Sequence, residues 1–147
     1  FLVYGVNEHL LKAFDFSDVN IDAVELVRES EARGAIAIPA HPGRFGIGLC
    51  EYLDDIGTDL ASIGVVEVMN GSSRRGEDNR SQELALQRGF QGIGGSDAHF
   101  VSAIGTCLTH FPHPIGSESE LVEALRKGEF EAVQLGDTDK FREGLLP

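Results

Sequence analysis

Apolar residues in this chain gather into short unbroken runs, and between the runs they recur at helical spacing. The opening FLVYG predicts a buried strand over 1–5. Asn20 is placed to cap a helix over 21–33, in which Ile21, Val24 and Val27 share a face and Gly34 ends the last turn. Residues 35–38 are wholly apolar and stop at Pro39, as a central parallel strand does. Leu49, Leu53, Ile56, Leu60 and Ile63 then repeat at steps of four and three, a helical stripe that Gly57 interrupts.

The second half repeats the alternation. It predicts a strand over 65–69, a helix over 78–88 stopped by Gly89, a glycine-rich strand over 90–94 and a further strand within 104–111. Ser117 and Glu120 form a capping box ahead of Leu121, Val122 and Leu125, with Gly128 closing that helix and a last strand over 130–135. Strand and helix alternate four or five times, which predicts an α/β fold built on parallel strands with right-handed crossovers. A complete (β/α) barrel takes about 250 residues, so a chain of 147 supplies only part of one. In such folds the chemistry lies beyond the carboxyl ends of the strands.

Composition narrows the class. A chain of 147 residues with 41% hydrophobic content is expected to fold as one globular domain. Its charge of −12, from 24 acidic against 12 basic residues, disfavours a broad nucleic-acid or anionic-membrane surface. No apolar run approaches the ~20 residues of a membrane span. Cys50 and Cys107 stand far apart and read as reduced thiols of a cytoplasmic protein. The chain opens inside a strand without a starter Met, so it is expected to be part of a longer protein, incomplete at its N-terminus.

Polar residues collect where the interior strands end. The first such strand runs into PAHPGR, with His41 and Arg44; the next into VEVMNGSSRRGEDNR, with Glu67, Asn70, Arg74, Arg75 and Arg80; the third into GGSDAH, with Ser96, Asp97 and His99. Residues two apart on an extended segment point the same way, so the Asp97 carboxylate and His99 imidazole would meet at one or two nearby metals. Mixed oxygen and nitrogen donors suit Zn, Mn or Fe(II). The competing reading has Asp97 capping a turn and His99 bonding locally. His41, before Pro42, is expected to be held extended. Glu67 in an apolar strand is either a ligand or base facing the site or a structural acceptor, because an unpartnered buried carboxylate is costly. Arg44, Arg74 and Arg75 match an anionic substrate, the alternative being a solvated loop. His110 and His113, in THFPHP, read as loop or surface residues because Pro112 precludes a helical pair, and His9 carries no signal.

With these pieces in place the chain resembles the PHP (polymerase and histidinol phosphatase) family of metal-dependent phosphoesterases. The likeness rests on AIPAHPGR at 37–44, GVVEVMNG at 64–71 and GGSDAH at 94–99, with IGTCLTHF and LRKGEFEAV trailing, and it spans about residues 1–135. The resemblance implies a partial, distorted (β/α)7 TIM-like barrel holding two or three divalent ions that activate a water against a phosphate ester. Carried over by position, His41, Asp97 and His99 are implied metal ligands, with Asp97 and His99 catalytic, and Glu67 and Asn70 fall in the acidic-strand motif of the metal site. Arg44, Arg74 or Arg75 would hold the phosphate. The family's first motif, an HxH, does not occur in this sequence and is expected upstream of Phe1.

The expected function is therefore metal-dependent hydrolysis of a small phosphorylated substrate, nucleotides among the candidates, by the intact protein. Two alternatives stand beside it: an amidohydrolase-type metal hydrolase, and a degenerate or truncated module without catalysis. An edge left by missing strands would also invite pairing with a second copy of the chain.

Overall fold

The computed structural model describes residues 1–53 and 62–135. Strand β1 (Leu2–Tyr4) leads to helix α1 (Glu8–Ala13) and helix α2 (Ala23–Ala32), then to β2 (Ile36–Ile38). After a 3-10 turn at Leu49–Glu51 come β3 (Val65–Asn70), α3 (Glu77–Arg88) and β4 (Gln91–Gly95). A second 3-10 turn, Val101–Ala103, precedes β5 (Cys107–His110), α4 (Glu118–Lys127) and β6 (Glu131–Gln134).

The core sits on both faces of the middle strands. Ala37 and Val66 pack with Leu26 and Val27 of α2 and Ala85 of α3, whereas their chain neighbours Ile38 and Val65 pack with Ile93 and with Leu125 of α4. Successive strand residues point to opposite faces, so a strand that buries neighbours on both sides must have cover above and below. That is why residues 36–38 and 65–66 read as unbroken apolar runs. Full burial of a side chain such as Ile38 or Val66 is worth about 1.5–3 kcal/mol.

Strand direction departs from expectation. Only β3 and β4 pair in parallel; β1 pairs with β2, and β5 with β6, antiparallel. A short apolar run has the same pattern in either direction, so periodicity carries no directional information. The strands form three two-stranded sheets, and the described residues contain no closed barrel. Few bonds stitch the sheets together. The Glu67 N–H donates to the Pro39 carbonyl at 3.1 Å, joining β2 to β3. Thr109 Oγ1 accepts from the Gly94 N–H (3.1 Å) and donates to the Gly94 carbonyl (2.8 Å), joining β5 to β4. A side chain at Gly94 would strike the Leu108 carbonyl, which is what the glycine there permits.

Helix boundaries follow local chemistry with two changes. Asp22, not Asn20, caps α2, its carboxylate accepting from the Glu25 N–H at 2.8 Å, while Asn20 closes a turn on Asp18. Helix α1, capped by Asn7, falls on a stretch for which no element was expected. Gly89 and Gly128 end α3 and α4 at φ 72° and 73°, the left-handed closure that glycine accepts without strain. Of the stripe from Leu49 to Ile63, Ile56 and Leu60 lie outside the described residues.

Candidate functional site

The loops after β2, β3 and β4 meet in one hydrogen-bonded cluster. Glu67 lies within β3 and is only 3% exposed. Its Oε2 accepts from the His41 main-chain N–H at 2.6 Å and from Asn70 Nδ2 at 3.0 Å. Asn70, at the end of the same strand, turns its Oδ1 to the Ser72 N–H (2.9 Å) and to Arg44 Nη2 (3.2 Å). The same guanidinium nitrogen donates to Asp97 Oδ2 at 2.8 Å. Arg44 thus bridges a residue ending β3 and a residue following β4, from the loop that follows β2. Gly95 makes room for this: a Cβ there would collide with the Glu67 carboxylate.

His41 and Asp97 are the non-glycine residues with positive φ among the described residues, at 33° and 45°. His41 is therefore not held extended before Pro42. Its N–H is drawn to Glu67, and its carbonyl accepts from the Arg44 N–H at 2.9 Å, closing a tight turn. A histidine in this backbone region is strained and persists only where surroundings impose it. Asp97 likewise breaks the extended path through GGSDAH. His99 Nδ1 turns back to the Asp97 carbonyl, 2.8 Å away, a carbonyl that also accepts from Ser72 Oγ at 2.8 Å. The parallel pointing expected of a strand does not occur, because the segment is not one.

Electrostatics follow the same geometry. Burial pushes the Glu67 carboxyl up, with Asp97 adding to the effect, while the Asn70 amide, the His41 N–H and the His41 ring oppose it. Burial would raise Asp97 too, but the hydrogen bond and charge of Arg44, helped by Asn70 and His41, hold it below its usual range.

Several residues that position the cluster were not singled out in the sequence. Glu77, 2% exposed, accepts from the Arg74 N–H (2.8 Å) and the Phe45 N–H (3.1 Å), tying two site loops to the start of α3. One turn on, Ser81 Oγ accepts from the Gly43 N–H at 2.9 Å. Glu77 and Ser81 are four apart and so share a helix face, a signal present in the sequence but shared with any solvated pair.

The other cations and thiols have separate roles. Arg80 pairs with Glu51 at 2.6 Å and lies over the Phe45 ring. Arg74 and Arg75 are exposed, and neither side chain makes an ion pair among the described residues. His110 lies on β5 rather than in a loop, its Nδ1 3.4 Å from Glu131 across the strand pair. His113 is exposed after β5. Cys50 and Cys107 are free, and burial pushes both thiols up, so neither is an activated nucleophile.

Residue types that hold divalent ions are present, but as arranged they do not fit one. Among the described residues no group of three or more His, Cys, Asp or Glu is placed to hold a metal. One carboxylate is committed to His41 and Asn70, the other to Arg44. His41 Nδ1 is the exception, a buried ring nitrogen with no hydrogen-bond partner.

Residues 76–130 match the family model described as PHP-associated, a span that includes α3, β4, Asp97, His99, β5 and α4. His41, Arg44, Glu67 and Asn70 lie outside it. No curated protein and no solved structure matches the chain.

Proposed function

We propose that this chain, which the match at 76–130 supports as the carboxy-terminal portion of a PHP-family protein, contributes part of the active site of a phosphoesterase. The reading rests above all on the convergence of three strand ends on one partly buried polar cluster, in which Glu67 joins His41 to Asn70 and Arg44 joins Asn70 to Asp97. In this reading the intact protein is a TIM-like barrel in the cytoplasm acting on a small phosphorylated substrate, nucleotides included. Divalent ions would require donors beyond the described set. Glu67 and Asn70 hold the His41 loop and Arg44 in place, and the exposed Arg74 and Arg75 offer guanidinium groups that match phosphate.

Asp97→Ala in the full-length protein is expected to lower phosphomonoester hydrolysis, measured with Mn present, by roughly a hundredfold or more. Circular dichroism should remain close to wild type. Turnover at the wild-type rate would sink the reading, and hydrolysis of amides rather than phosphate esters would move it to the amidohydrolase class.

A second reading, an accessory module without turnover, is favoured by one observation: Arg44 already occupies the Asp97 carboxylate. A full-length protein that binds ions yet cleaves no phosphate ester would support it.

A further inference from the structure

The carboxyl ends of the strands carry more than the polar cluster. A cavity of about 520 Å³ lies beside it, walled by Ile21 and Val24 around the start of α2, Pro39 after β2, and Ile47, Leu49 and Tyr52 from the loop beyond. His41 lines the same cavity, so this residue belongs to both the cavity and the cluster. About 150 Å³ between apolar walls already holds a benzene molecule, so there is room for a ring and its substituents. Another cavity, of about 300 Å³, opens at the amino ends of β2, β3 and β4, where Ile36, Val65 and Gln91 line it, and it touches no residue of the cluster. Chemistry in folds of alternating strands and helices gathers at the carboxyl ends, which singles out the first cavity.

The lining decides what that cavity accepts. Among the described residues on its wall none is Lys or Arg, and the Asp22 carboxylate there is turned to the Glu25 N–H at 2.8 Å. A phosphate would meet a like charge with no cation to offset it, whereas an uncharged group would bury its apolar surface. Two further observations point to a ligand. His41 Nδ1 is buried with no hydrogen-bond partner, a polar atom that a hydrogen-bonding atom of a ligand would satisfy. The His41 backbone is held at φ 33°, and strain of this kind collects at ligand sites. At the mouth, Ile47 and Tyr52 are 66% and 45% exposed, apolar surface that a bound ring would cover.

We propose that this cavity seats the uncharged, apolar organic group of the substrate, so that the site takes an aryl phosphate in preference to a polyol phosphate. The phosphate itself stays outside, toward Arg44, whose N–H bonds the His41 carbonyl. The inference rests on the phosphoesterase reading for the phosphate but not for the apolar group.

The test is a titration of the 147-residue chain with phenyl phosphate, glycerol phosphate and phenol, each followed in amide NMR spectra. Phenyl phosphate is expected to bind roughly tenfold more tightly than glycerol phosphate, since its ring buries apolar area that glycerol lacks. Phenol alone should shift the amides of Ile47, Leu49 and Tyr52. Ile47→Ala combined with Tyr52→Ala, both at exposed positions, should bring phenyl phosphate down to the affinity of glycerol phosphate. If that double variant does not fold, as circular dichroism would show, the phenol shifts in the wild type still decide. Equal, measurable affinities for the two esters, or a preference that survives the double variant, would overturn the apolar seat while leaving phosphate binding intact. Phenol shifts in the cavity without binding of either ester would keep the seat and overturn the phosphoesterase reading. Absence of binding by all three probes at millimolar concentration would overturn both.

Discussion

Glu67 occupies an apolar strand, where only its hydrogen-bond partners make a carboxylate tolerable. That a partner had to exist was evident from the sequence; that it would be a main-chain N–H of His41 and the Asn70 amide was not. The consequence for pH is specific. Burial raises the folded-state pKa, so the native form holds this proton more tightly than the unfolded chain, whose carboxyl titrates near 4.5. The stability Glu67 contributes is full below that value and is lost as pH rises through the folded pKa. Asp97 runs in the opposite sense, its contribution being lost as pH falls. Removing one titration isolates its sign. In urea unfolding, wild type should lose stability relative to Glu67→Gln as pH is raised from 4.5 toward neutrality. A difference that stays constant with pH would refute the raised pKa. The left-handed backbone of His41 and Asp97 left no trace in the residue pattern, because each conformation is imposed by contacts from other strands.

Helix ends were legible because their chemistry is local. The capping box was expected at Ser117 and Glu120, and Ser117 Oγ accepts from the Glu120 N–H at 3.2 Å. The reciprocal bond differs: Glu120 Oε2 reaches the Gly116 N–H at 2.7 Å, one residue before the cap. Ser117→Ala should therefore destabilise the protein by about 1 kcal/mol in chemical denaturation. An unchanged midpoint would mean that Glu120 alone secures the start of α4. At α2 the choice between Asn20 and Asp22 depended on which residue enters the first turn, a matter of two positions that competing caps leave open. Strand existence was equally legible, since 65–66 and 36–38 are apolar on both faces. Strand direction was not, and β1 and β6 turned out antiparallel to their partners.

The molecule is held together as much by single links between small sheets as by its helices. Thr109 supplies both hydrogen bonds that bind Gly94 to β5, so Thr109→Val keeps the shape and removes the link. A loss of about 1–2 kcal/mol is expected, with faster amide exchange in β5 and β6 and little change in β1 and β2. Uniform acceleration in all strands would show instead that the sheets unfold as one unit. No helix among the described residues is long and apolar enough to cross a membrane. Residue order along the chain was enough to settle the layered α/β character, the caps and the polar character of three strand ends, since each depends on neighbours within a few positions. Which sheets formed, how Arg44 came to lie on Asp97, and why the candidate ligands do not converge on an ion were settled only when distant segments packed. Those outcomes depend on contacts such as Arg44 with Asp97, 53 positions apart, and no local pattern encodes them.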